Sequence, residues 1–149
     1  MKKVLIALFI TISLALYGCS QKTDKITVDY EQAEIEIEEY ITSLELPSYF
    51  WSTGVDQKES GKFDVTGDGY DDLIRFPFYG SGMSRTSVAV YDPVNHAGYF
   101  LGSFDESYSL VNCTEKELLI CKSDNTNTEN SSVGTLSIED GKLYWVEKK

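Results

Sequence analysis

The sequence predicts a mainly β protein, an antiparallel meander of the sandwich or partial, propeller-like kind, with one N-terminal helix. Two observations carry this. Short aromatic and β-branched runs follow one another from residue 73 to the C-terminus: LIRFPFY, TSVAVYD, GYFLGSF, SYSLV, ELLIC, GTLSI and KLYWV. The breaks between them are Gly-Ser, Asp-Pro, Asn-rich or Asp-Gly, with no helical periodicity intervening, which favours neighbouring antiparallel strands over crossover units.

The helix is assigned within VDYEQAEIEIEEYITSLEL, residues 28–46. The stretch Ala33 to Glu38 alternates like a strand, but Tyr30, Ala33, Ile37, Tyr40, Ile41 and Leu44 share one helical face. Asp29 with Gln32 three positions on has the form of a capping box, and Pro47 ends the pattern. The six glutamates of this stretch read as a solvated face or an acidic docking surface.

Within the β region, Ile138-Glu139-Asp140-Gly141-Lys142-Leu143 is the clearest hairpin, since Asp-Gly supplies the positive φ angles of a type I′ turn. Pro77 inside its run predicts an edge strand. Residues 123–132, SDNTNTENSS, form a long polar loop.

The chain opens with two lysines, an apolar stretch from Val4 to Leu16 too short to span a bilayer, and small residues before a cysteine. This is the anatomy of an export signal. Leu16-Tyr17-Gly18-Cys19 resembles the lipobox of bacterial lipoproteins, although tyrosine is an uncommon choice there. The resemblance implies a signal peptide over residues 1–18, lipidation at Cys19, a tether over 19–27 and a single domain over 28–149. With Ser20 after the cysteine, it implies a periplasm-facing lipoprotein of the cell envelope, at the outer membrane where the cell has two.

Composition narrows the partners. The chain of 149 residues carries a formal charge of −11. Loss of Lys2 and Lys3 with the leader leaves 11 basic against 24 acidic residues, or −13. Such a charge disfavours nucleic acid and anionic membrane and favours cations or a basic protein. With Cys19 lipidated, Cys113 and Cys121 remain in a compartment where disulfides persist, and a bridge between them is expected. The alternative is two separate buried thiols, because a hairpin turning at Glu115-Lys116 does not set them opposite each other.

The chemistry concentrates in FDVTGDGYDDLI, residues 63–74. With Asp64 as position one, oxygen-bearing side chains fall at one, three, five and nine as Asp64, Thr66, Asp68 and Asp72. Gly69 permits the sharp turn and Tyr70 offers its carbonyl. Such a cage suits calcium, a hard cation taking six to eight oxygens, better than magnesium. It is not an EF-hand, because position twelve is Arg75 and a strand follows instead of a helix.

The run resembles the calcium loop of FG-GAP or VCBS-type repeats. With the Gly-Ser loop and VAVYDPVNHAGYF beyond it, it is similar to small propeller-like envelope proteins that include inhibitors and immunity proteins directed at peptidoglycan hydrolases. Thr66 and Gly67 depart from that pattern, in which asparagine and an aromatic residue are usual. The resemblance implies a bound calcium ion and a protein partner, a peptidoglycan hydrolase. An acidic domain is steered to cationic hydrolases and can block a carboxylate-lined cleft by inserting a loop. The candidate insertion loop contributes Tyr79, Ser81, Met83 and Arg85, the arginine facing a catalytic carboxylate and its base fixed by calcium. The turn from Asp92 to Gly98 is a second candidate on an unspecified rim.

The sequence reads as non-catalytic. His96 is the only histidine and sits in a turn, so no Ser-His-Asp or Cys-His triad can be assembled without it. Gly80-Ser81-Gly82 lacks the spacing of a nucleophile elbow. The competing function is a calcium-dependent envelope assembly or adhesion module.

Overall fold

The computed structural model describes residues 26–46, 54–79, 85–124 and 130–149. The leader, Cys19 and most of the tether therefore lie outside the described residues. The element order is helix α1 (Tyr30–Ser43), then β1 (Gly54–Phe63), β2 (Asp72–Tyr79), β3 (Arg85–Thr86), β4 (Val88–Asp92) and β5 (Ala97–Leu101). It continues with β6 (Glu106–Thr114), β7 (Glu117–Asp124), β8 (Ser131–Glu139) and β9 (Lys142–Glu147).

The strands form two antiparallel sheets. The first has the order β1-β2-β4-β5, with β3 also on β2, and the second has the order β6-β7-β8-β9. Neighbours in space are almost everywhere neighbours in sequence, as a meander requires. The inner faces share one core: Ile74, Phe76, Val88 and Val90 from the first sheet meet Tyr108, Leu118, Ile120, Leu136 and Leu143 from the second.

The helix covers the outer face of the first sheet. Ala33, Ile37 and Ile41 pack on Leu73, Ala89 and Tyr91, so β2 and β4 are apolar on both faces and all five residues of β4 are buried. Helix, sheet and sheet make three layers. The helical reading of residues 28–46 holds, and Ile35 decides it: strand alternation would set it beside Ala33 and Ile37, whereas it is 54% exposed while Ala33, Ile37 and Ile41, four apart, form the buried stripe. The Asp29 carboxylate caps the helix by accepting from the Glu31 and Gln32 amides, both at 3.1 Å. Gln32 turns instead to Glu36, so the reciprocal half of the capping box is not made. Near the other end the Tyr40 ring lies against Gly98, where a Cβ would come within 2.5 Å of it, so this approach requires glycine.

The Asp140-Gly141 turn has φ of 50° and 72°, joining β8 to β9 as predicted. Two expectations are corrected, and one strand joins those read from the sequence. Pro77 lies on β2, an interior strand paired on both sides. It is accommodated where the ladder is interrupted at Ser87, between β3 and β4: the Ser87 amide donates to the Pro77 carbonyl at 2.8 Å, and the return bond from the proline nitrogen is the one not made. The stretch GVDQKESGKF, too polar to read as a strand, is β1. Cys113 and Cys121 are free thiols. They lie opposite Leu118 and Ser109 respectively, which separates them by about 10 Å or more along the ladder, beyond the reach of a disulfide. The Cys113 thiol instead donates to the Lys62 carbonyl at 3.3 Å.

Candidate functional site

The acidic loop between β1 and β2 is folded by its own carboxylates. The Gly67 and Asp68 amides donate to Asp64 Oδ1 at 2.7 and 3.1 Å, and the Gly69 amide donates to Oδ2 at 3.0 Å. The Tyr70 amide donates to Asp68 Oδ1 at 2.9 Å. From the far side, the Val65 and Thr66 amides donate to Asp72 Oδ2 at 2.7 and 2.8 Å, and the Thr66 hydroxyl to Oδ1 at 3.4 Å. Gly67 and Gly69 have φ of 78° and 90°, and a Cβ at either would meet nothing, so backbone conformation and not space selects glycine.

Asp72 is the buried member of the set, with no exposed surface. Burial pushes its carboxyl up from 3.8 to about 6, the Thr66 and Val65 amides oppose the shift, and the charge of Asp92 adds to it. Asp92 stands one residue beyond the Leu73–Tyr91 pair, as Asp72 does, and is itself 1% exposed. Its carboxylate is taken up by its own turn, accepting from the Val94 and Asn95 amides at 2.8 and 3.0 Å and from Asn95 Nδ2 at 2.7 Å. Two buried carboxylates thus face one rim, each accepting three hydrogen bonds from its own loop.

The expected ligands Asp64, Thr66, Asp68, Tyr70 and Asp72 are brought into one turn. Their carboxylates point largely at loop amides, and among the described residues no three acidic, histidine or cysteine side chains converge at metal-holding range. The donor set still suits a hard cation, because a calcium ion needs hydroxyl and carbonyl oxygens as well as carboxylates and relieves the desolvated charge of Asp72.

The loop is tied to the helix. The Tyr30 hydroxyl bonds the Asp71 backbone, and Lys62 lies 4.7 Å above the Tyr30 ring. Glu34 bonds the Arg75 guanidinium and lies 3.6 Å from Lys62 Nζ. Glu36 accepts from the Tyr91 hydroxyl at 2.6 Å and pairs with His96 Nδ1 at 3.1 Å, which holds its carboxyl below the ordinary range. Arg75, with its side chain 11% exposed, is the cation on which Glu34 and Glu38 converge. Sequence reasoning treated it only as the residue that rules out an EF-hand. Its role follows from strand order, which the sequence does not display.

The remaining face of the helix points to solvent. Glu31, Glu38 and Glu39 are exposed around Ile35, itself 54% exposed, and residues 30–43 contain no lysine or arginine. His96 projects into solvent from its turn, with a left-handed φ of 51°.

The insertion-loop candidates resolve in part. Tyr79 and Arg85 pair with each other at the far end of β2, while Ser81 and Met83 lie outside the described residues. Strand β2 runs from Asp72 to Tyr79, so the acidic loop and this hairpin stand roughly 23 Å apart at opposite ends. An ion in the acidic loop is therefore too distant to fix the hairpin's base directly, which corrects that expectation. The turn from Asp92 to Gly98 shares the rim of the acidic loop.

Comparison of the chain with protein-family models, curated proteins and solved structures finds no match.

Proposed function

We propose that the chain is a non-catalytic, calcium-stabilised envelope lipoprotein that binds a cationic protein, of the peptidoglycan hydrolase class, and blocks its activity. The observation that carries this reading is the outward face of α1. Three exposed glutamates surround an exposed isoleucine with no compensating cation on the helix. Among the described residues Glu31 and Glu39 have no cation partner, whereas Glu38 also approaches Arg75, so the face keeps a net negative charge open to a basic partner. The buried stripe and the Arg75 contacts hold that face rigidly, which lowers the entropy lost on binding.

Calcium belongs in the loop of Asp64, Thr66, Asp68, Tyr70 and Asp72, where it offsets the buried charge of Asp72. Lipidation at Cys19 would hold the domain at the membrane surface facing the wall.

The test is inhibition. Purified protein is titrated into lysozyme-class and amidase-class hydrolases acting on peptidoglycan, at low and high salt. The expected result is stoichiometric inhibition of one enzyme, weakened by salt and by reversing Glu31 and Glu39 to lysine. Untouched hydrolases, with co-purification of envelope proteins alone, would favour the assembly-module reading.

A further inference from the structure

We propose that the outward face of the second sheet is a self-association surface whose occupant is a second copy of this chain. Alternation along the strands defines the face. Leu118, Ile120, Leu136 and Leu143 point into the core, so Leu119, Cys121, Thr135 and Tyr144 point out, as do Val133 and Val146. Val111 joins them at the bulge in β6, where the register shifts between Leu110 and Asn112.

Among the described residues, four of the seven large hydrophobic ones with high exposure are on this face: Val111 at 54%, Val146 at 45%, Tyr144 at 43% and Val133 at 39%. The matching face of the first sheet is covered by α1. Among the described residues no helix covers this one.

Charge selects the occupant. The outward positions of β7, β8 and β9, with Lys148 beyond, carry Glu117, Glu139, Lys142 and Lys148, which sum to zero. Glu117 is bonded to Lys148, and Glu139 stands opposite Lys142 in the hairpin register. In a chain of net charge −11, two copies repel through most of their surface and can meet where the local charge vanishes. A basic partner gains nothing from a neutral face and has the glutamates of α1 to bind. A pleated face is also self-complementary under a two-fold axis, with sheets stacking about 10 Å apart. Four strands of this length offer roughly 20 by 20 Å, below the standard interface size, so the dimer is weak and reversible. Cys121, opposite Ser109 and Val133 within this face, serves as its reporter.

The experiment uses the full chain in mild non-ionic detergent, with Cys19→Ser and Cys113→Ser so that Cys121 is the sole thiol. Sedimentation velocity over a concentration series is combined with a short thiol-reactive bismaleimide. The expected result is a concentration-dependent dimer that cross-links through Cys121 and strengthens with salt, because salt screens the repulsion between acidic copies. Tyr144→Glu and Val146→Glu should each lower the cross-linked yield about tenfold, since each buries an unpaired charge in the dimer. Both residues are exposed, so an unchanged melting temperature verifies that the monomer still folds. A monomer at every concentration, or cross-linking indifferent to both glutamates, would overturn the proposal. So would a monomeric wild type whose binding to a basic hydrolase is lost in Tyr144→Glu, because the face would then belong to a different occupant.

Discussion

The hydroxyl of Tyr30 accepts a hydrogen bond from the amide of Asp71 and donates one to the same residue's carbonyl, each at 3.1 Å. One side chain from the first turn of the helix thus satisfies both backbone groups at the end of the acidic loop, 41 residues away in sequence. Tyr30→Phe should keep the ring under Lys62 and lose both bonds. The expected cost is about 1 kcal/mol, because the released groups are exposed and water replaces the hydroxyl. Urea denaturation checks the magnitude, and hydrogen exchange should show faster opening of the Asp71 amide and the first turn of α1 together.

The helix offers a paired control. Ile37 has no exposed surface, whereas Ile35, two residues away, points to solvent. Ile37→Ala should destabilise by about 2–4 kcal/mol through lost burial and a cavity against Leu73 and Tyr91. Ile35→Ala should change stability by less than about 0.5 kcal/mol. Equal effects in thermal melts would contradict the docked orientation of α1.

Asp72 makes stability depend on pH in an unusual direction. Its folded pKa, about 6, exceeds its ordinary value of 3.8, so the folded state holds the proton more tightly. In the presence of chelator, stability should therefore fall as pH rises from about 4 to about 6. The full penalty, about 3 kcal/mol, applies at neutral pH. Asp72→Asn keeps an oxygen for the Val65 and Thr66 amides and removes the charge. It should flatten that dependence and match or exceed the wild type in chelator at pH 7, as read from denaturation midpoints.

On the proposed reading, calcium would act on the same balance. Its addition at pH 7 should raise the wild-type melting temperature, while Asp64→Ala and Asp68→Ala should remove the increment. Asp64→Ala should also lower stability in chelator, because three loop amides lose their acceptor. Identical melting of the wild type with calcium and with chelator would exclude the metal.

Much of the architecture was legible because it rests on local periodicity. The strand-length runs became β2 and β4 to β9, the Asp-Gly hairpin formed, and the apolar stripe of Ala33, Ile37 and Ile41 became the helix contact. What escaped depends on tertiary context. Strand β1 is held by pairing to β2 and not by its own composition. Pro77 sits in an interior strand because its missing donor faces Ser87, where the pairing of β2 is interrupted between β3 and β4. The acidic loop was recognisable from spacing alone, but Asp92 as its electrostatic neighbour and Arg75 as the anchor for helix glutamates arise only from the register of β2 against β4. The unbridged pair Cys113 and Cys121 was legible too, as the alternative to the expected bridge, because the hairpin turning at Glu115-Lys116 leaves them staggered.

The two sheets occupy consecutive halves of the chain, residues 54–101 and 106–147, joined by one short connection across Gly102 to Asp105. All strand pairing is internal to one half, so each can form its ladder before the other exists, while neither can hide its apolar inner face alone. Docking of the halves is then the step that commits the chain to its native state. A chain divided between Ser103 and Phe104 should behave as two separately synthesised fragments that regain the fold on mixing, a split-reporter architecture already present in the strand order.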